Sequence, residues 1–332
     1  MNKHLVGYSL ALVSLVVVTW LAVSIGSVRV PLSVLWQPSS ADAASANIIW
    51  KIRMPRVMLA GLVGAALAMA GAAFQGLLKN PLADPYTLGV SSGATVGAVM
   101  TMFFGLTTTT FGLFTLPVFS MLGALGALIA VLGFARLVDR SMRMETLILT
   151  GIIVSAFLSS VISLMIALTG EELRQILHWL MGSVSMRGWA YVQLVWPFLV
   201  MGGGLLWWNR MELNALLFGE ERAQHLGVNV KRSKWQILIG GSILTGSAVA
   251  VSGTIGFVGL VVPHMTRLLF GTDHRHLLPL SMINGATLLI GCDLIARTII
   301  APSELPIGVI TSFIGAPVFA YIFFKQRKRG RA

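Results

Sequence analysis

The chain has 332 residues and is short of charge, above all of acids. Asp and Glu number 12 against 24 Lys and Arg, and charged residues make up only 11% of the sequence. Helices that relay protons or ions across a bilayer place acids or bases mid-membrane at high cost. Here the central parts of the apolar stretches hold almost none. Asp84, Asp139, Glu145, Glu212, Glu220, Glu221 and Asp273 fall between those stretches or at their ends. This argues against a proton-coupled carrier. The single cysteine, Cys292, excludes an intrachain disulfide. None of the seven lysines follows a glycine, so there is no nucleotide-binding P-loop, and the HExxH metal pattern is missing too. His274 and His276 flank Arg275 in a ligand-like spacing, but a solvated connection accounts for them. The chain therefore shows no catalytic centre and no energy source of its own.

What it has is apolar length. Hydrophobic residues make up 56% of the sequence and the mean hydropathy is +0.83. Apolar runs occupy 5–28, 57–78, 87–106, 116–137, 146–168, 191–208, 235–251, 256–270, 277–295 and 306–324. A spanning helix needs roughly 20 apolar residues, and most of these runs qualify. The run 256–270 is shorter, rich in glycine and interrupted by Pro263, as expected of a broken segment packed inside protein. Barrels show short alternating segments instead. The fold class is thus all-α, a polytopic membrane protein with about ten transmembrane helices and both termini on one side. Ala44-Ser45-Ala46 looks like a cleavage site but lies far beyond an apolar stretch too long for a signal peptide, so the first run is expected to be a retained helix.

Charge orients the chain. With both termini inside, 17 of the 24 basic residues fall on the cytoplasmic side, as the positive-inside rule requires. Arg29, Lys51, Arg53, Arg56, Arg174, Arg187 and Arg297 remain outside. The net charge of +12 is an orientation signal and does not point to nucleic acid. The basic tail 325–332 is a cytoplasmic stop that meets anionic headgroups.

Three segments are too specific for generic membrane helix. The first begins with Arg53-Met54-Pro55-Arg56. It continues through Gly61, Gly64, Ala68 and Gly71, a small-residue face for close helix packing, into a stiff inner turn of Asn80, Pro81, Asp84 and Pro85. The second is Glu220, Glu221, Arg222, Ala223, Gln224, His225, Leu226, Gly227 and Val228, within the polar inner stretch 212–233. Acids at its start and histidine near its end suit a helix dipole, and Gly227 suits a C-terminal stop. The third carries glycines at 253, 256 and 259, then Pro263-His264, Asp293 to Arg297, Glu304-Leu305-Pro306 and Gly315-Ala316-Pro317. Asp293 and Arg297 stand four apart and can pair.

These residues, in this order over roughly 5–324, resemble the FecCD-type permease subunits of bacterial ABC importers for iron–siderophores, haem and vitamin B12. The resemblance implies a single type II permease domain over 1–332, located in the bacterial cell membrane, that works beside a second permease subunit (a copy or a paralogue). It implies two ATP-binding subunits that carry ATP and Mg, with no cofactor on this chain. The helix at Glu220–Val228 would be the coupling element seated on the ATPase, and the turn at Asn80–Pro85 would add contact. Arg53, Arg56 and Arg297 would receive glutamates of an extracytoplasmic binding protein that delivers a metal chelate. Among the cargoes an iron–siderophore is expected, with cobalamin or haem as alternatives. A stand-alone secondary transporter would need membrane acids or a polar filter, and neither is visible. The 16 methionines and Trp179, Trp189, Trp207 and Trp208 read as packing and interfacial anchors. Glu171, Glu172, Arg174, His178 and Arg187 form a polar outer segment.

Overall fold

A computed structural model describes residues 3–26, 28, 30, 43–106, 112–139, 143–170 and 172–329. Arg29, Arg140 and Arg331 of the basic residues and Glu171 of the polar outer segment lie outside the described residues, as does the end of the basic tail. Among the described residues every regular element is helical. They are α1 (Lys3–Ser24), α2 (Ala43–Asn47), α3 (Met54–Leu77), α4 (Val90–Phe103), α5 (Thr115–Val138), α6 (Met144–Leu168), α7 (Leu173–Leu180), α8 (Trp189–Trp208), α9 (Arg210–Leu217), α10 (Glu220–His225), α11 (Val230–Ser252), α12 (Val258–Phe270), α13 (His274–Thr298) and α14 (Ile307–Arg329). A π-helical stretch, Ile48–Arg53, joins α2 to α3, so that 35 residues run as one rod. Seven described helices are long and apolar enough to cross a membrane, and α4, α12 and the apolar part of α14 are shorter. Each of the ten apolar runs has its greater part on one of these helices.

α3 is buried on nearly every side and forms the centre of the bundle. Its small residues explain how. A Cβ on Gly64 would stand 2.2 Å from the Gly285 carbonyl oxygen of α13, and one on Gly71 would stand 1.9 Å from that of Gly259. Two helices therefore touch α3 backbone to backbone, which only glycine permits. Gly61 faces the Ile290 side chain, and Ala68 packs on Gly285. Close backbone approach is the usual source of association in lipid, where no hydrophobic drive separates helix from solvent. By contrast, α6 is exposed over almost its whole apolar surface, and α1 is mostly exposed as well.

Side-chain pairs give the directions. Arg56 meets Asp293 and Gly76 meets His274, so α3 and α13 are antiparallel. His4 stacks on His276 at 3.9 Å, and Arg297 reaches the Ala22 carbonyl, so α1 and α13 are parallel. Phe257 packs on Gly315 and His264 on Phe319, so α14 runs with α12, away from Glu304. The first and last described residues thus lie at one end of the bundle, here the termini end. The opposite end is the arginine end. The basic segment from 325 continues α14 as helix to Arg329.

Two interruptions break the bundle. α11 stops at Ser252 and α12 starts at Val258, as the glycines at 253 and 256 predict, with Phe257 held at φ 67° before α12. The second is the segment 78–89. Asn80 and Pro81 make a surface turn at the termini end, but the chain then folds back into the bundle. Pro85 rests on Gly259, and the Thr87 carbonyl lies against Gly151. This corrects the expectation of one inner turn: Asp84 and Pro85 are carried inward. The room for them comes from glycines on two distant helices.

Candidate functional site

At the termini end, α9 and α10 form a compact projection. Leu213, Leu216 and Ala223 are buried and anchor it. α10 ends in paired turns, with Val228 N–H donating to the Ala223 carbonyl at 3.0 Å and Gly227 N–H to that of Gln224 at 2.9 Å. Gly227 holds φ 84°, the left-handed stop its sequence position suggests. The predicted residues then divide. Glu220 turns inward and meets Lys234 of α11 at 2.7 Å, where the lysine side chain is only 2% exposed. Glu221, Arg222, Gln224, His225, Leu226 and Gly227 face outward. Leu217 and Phe218, which the sequence reading passed over, are exposed beside them. Lys79 Nζ lies near Gly219, bringing the Asn80–Pro81 turn alongside.

A second tie was also missed. Asn214 of α9 donates to the Asp273 carboxylate at 2.7 Å and accepts from the His274 backbone N–H at 2.8 Å. Asp273 caps α13 by accepting from Arg275 N–H at 3.0 Å and pairs with the Arg275 guanidinium at 2.7 Å. Those Arg275 bonds, against the smaller penalty of burial, hold the Asp273 carboxyl far below the usual carboxylate range. His274 is fully buried against Asn214, so it is not the solvated loop residue the spacing implied. No metal-binding cluster forms among the described residues.

At the arginine end the structure brings Arg53, Arg56 and Arg297 around one small cavity of about 170 Å³, together with Glu304 and Pro302. None is presented on the surface: their exposures are 4%, 7% and 7%. Arg53 donates to the Val23 and Ser24 carbonyls at 2.8 and 2.9 Å and also to Val28, so it caps the C-terminus of α1. Arg56 Nε contacts both oxygens of Asp293 at 3.0 and 3.1 Å, and its Nη1 donates to Glu304 at 2.8 Å. Arg297 donates to the Ala22 carbonyl and stands 3.7 Å from Asp293. The expected Asp293–Arg297 pair is therefore present but secondary to Asp293–Arg56. Burial pushes the Glu304 carboxyl up, yet Arg56 and the Ser185 hydroxyl outweigh it and hold it below the usual glutamate range.

Between the two ends, Asp84, Tyr86, Thr254, Phe257, Ser312 and Phe313 line a cavity of about 620 Å³ that also reaches Leu180 and Met181. Asp84 caps the turn before α4 by accepting from Tyr86 N–H at 3.2 Å. Asp84, expected in the inner turn, thus lines this open pocket, which exposed Phe313 borders. His178, Arg187 and Trp179 line a further, more polar cavity of about 380 Å³ at the arginine end.

With this arrangement in view, the family model for the FecCD transport family matches residues 14–325. The chain belongs to the FecCD transport family. Such a permease shares 58% identity with the uncharacterized ABC transporter permease protein YvrB of Bacillus subtilis (strain 168), covering 99% of this chain and 95% of that one. It is 39% identical to the hemin transport system permease protein HmuU of Yersinia pestis, over 96% and 95% of the two chains. A solved structure described as an inward-facing metal-chelate type ABC transporter superposes with a TM-score of 0.86 at 33% identity, covering 96% of this chain and 99% of that one. This FecCD chain is therefore a multi-pass membrane permease of the ABC importer class.

Proposed function

We propose that this chain, paired with a second permease subunit and two ATP-binding subunits, moves a metal chelate into the bacterial cytoplasm by alternating access. The termini end then faces the cytoplasm, in keeping with the basic loops. The observation that carries the mechanism is the α9–α10 projection. Exposed Leu217, Phe218 and Leu226 sit among polar Glu221, Arg222, Gln224 and His225, an apolar centre with a polar rim suited to a protein partner. Its part-buried ties to α11 and α13 give a partner's movement a mechanical hold on two spanning helices. The test is co-purification with the ATPase. Loss on disrupting this surface, with normal membrane insertion, upholds the assignment, and full retention refutes it.

At the other end, among the described residues, three guanidiniums around one cavity against Asp293 and Glu304 leave surplus positive charge, which supports docking of a binding protein through its carboxylates. For the cargo we propose an iron–siderophore. The likeness to a metal-chelate type transporter and to a hemin permease supports the chelate class. Uptake of labelled ferric siderophores, hemin and cobalamin in a deletion strain and its complement tests this. Loss of ferric siderophore uptake alone upholds the cargo, and loss of hemin or cobalamin uptake alone replaces it within the same transporter class.

A further inference from the structure

Glu304 stands on the wall between two cavities. The smaller holds the three arginines, and the larger, about 380 Å³, is lined by His178, Trp179, Ser183, Ser185 and Arg187. Glu304 lines both. Arg56 holds two carboxylates of unlike standing. Asp293 has a side chain 1% exposed, whereas that of Glu304 is 40% exposed with its oxygen 2.8 Å from Arg56 Nη1. One is locked in and the other is reachable. Arg297 Nε, buried in the same cluster, has no hydrogen-bond partner among the described residues and lies 3.7 Å from Asp293.

An incoming carboxylate has an inexpensive route here. It can take the Glu304 position on Arg56 without leaving that buried guanidinium unpaired, and stranding a buried charge is the costly event. The freed Glu304 can then go to water. Its position in the chain makes the exchange consequential. Residue 305 donates to the Ala296 carbonyl at 2.9 Å, residue 307 donates to the Gly182 carbonyl at 3.0 Å, and Gly308 lies against the Met181 carbonyl. The segment 304–308 is thus the seam between α13, the chain after α7, and the start of α14.

We infer that Glu304 is an exchangeable internal ligand of Arg56: a carboxylate of the docked binding protein takes its place, and its departure opens the arginine cavity into the polar cavity beside α7. This rests on the docking reading above. The experiment uses the full permease–ATPase complex in nanodiscs with its binding protein. Wild-type affinity is measured from about 0.05 to about 0.5 M NaCl, because charge-led docking weakens with salt. Glu304→Gln, which removes the competitor, is expected to tighten binding by about tenfold, while Glu304→Asp stays near wild type. As a second readout, a spin label on Ser303→Cys, which is exposed while native Cys292 is buried, is expected to gain mobility on docking. Salt-independent affinity overturns the docking reading itself. Salt-dependent affinity with Glu304→Gln unchanged or weaker, or with the label unmoved by docking, overturns the exchange alone.

Discussion

Replacing Asp293 by Asn asks whether the arginine end is first of all a structural lock. The carboxylate is buried, accepts from Arg56 Nε at 3.0 and 3.1 Å and from its Nη2 at 2.9 Å, and faces Arg297 at 3.7 Å. Asparagine keeps the volume and removes the charge. Arg56 would keep Glu304 and Arg297 would keep the Ala22 carbonyl, but the two guanidiniums would then share one half-exposed carboxylate. Removing one partner of a buried pair costs about 3–5 kcal/mol. The contacts that survive argue for the lower end, which lowers the unfolding midpoint of a 332-residue chain by about 4 °C. The assay is thermal unfolding of the purified permease in detergent, read by tryptophan fluorescence. The double variant Asp293→Asn with Arg297→Gln should recover part of the loss, since a buried positive charge leaves with the negative one. A single variant within about 1 °C of wild type would refute the reasoning.

Phe218→Asp and Leu226→Asp, both at exposed positions, should leave yield and melting unchanged while cutting ATPase co-purification on the order of tenfold, as loss of a central interface anchor does. Asn214→Ala removes bonds to Asp273 and His274, and should cost about 1–3 kcal/mol and reduce ATPase stimulation by the binding protein. Gly64→Val pushes side chain into the Gly285 carbonyl and should cost about 1–3 kcal/mol or prevent folding, whereas Gly126→Ala, with open space around it, should melt like wild type. Because the Glu304 carboxyl titrates below its ordinary value, its contact with Arg56 contributes fully above the ordinary glutamate range and is lost as pH falls through the lowered value. The acid side of a melting-versus-pH curve should show that loss in wild type and lack it in Glu304→Gln.

The apolar runs, the glycine face of α3, the break before α12 and the stop at Gly227 were all legible, because each is written in local composition and spacing. Depth was not. Asp84 and Pro85 look like a surface turn, and what draws them inward is space over Gly259 and Gly151, far off in sequence. Arg53, Arg56 and Arg297 look like exposed outer charges because their partners, the α1 carbonyls and Glu304, are up to 275 residues away. Lys234 and His274 carry no mark of burial, since a lone Lys or His in a polar stretch is most simply read as solvated. Exposed Phe218 next to a predicted coupling helix was a usable signal: an aromatic in a polar inner loop has little reason to be there without a partner.

The placement of the two sites follows from one helix. α13 is fastened to α9 by Asn214 at its first turn and carries Asp293 and Arg297 near its other end, with 25 residues between its limits, about 37 Å of helix. Midway, its Gly285 backbone lies on Gly64 of α3 with no layer of flexible side chain between them. A push at the α9–α10 projection therefore finds little compliance at that crossing, because packed backbones neither compress nor slide cheaply. The long helices stop at 252–257, between α11 and α12, and at 78–89, before α4. Those breaks supply Thr254, Phe257, Asp84 and Tyr86 to the central cavity. The arginine cluster thus stands on the closely packed pair α3–α13, and part of the pocket lining stands on the two breaks between long helices. In the alternating-access function proposed above, the α3–α13 pair would be the frame and the pocket lining at 78–89 and 252–257 the part that moves.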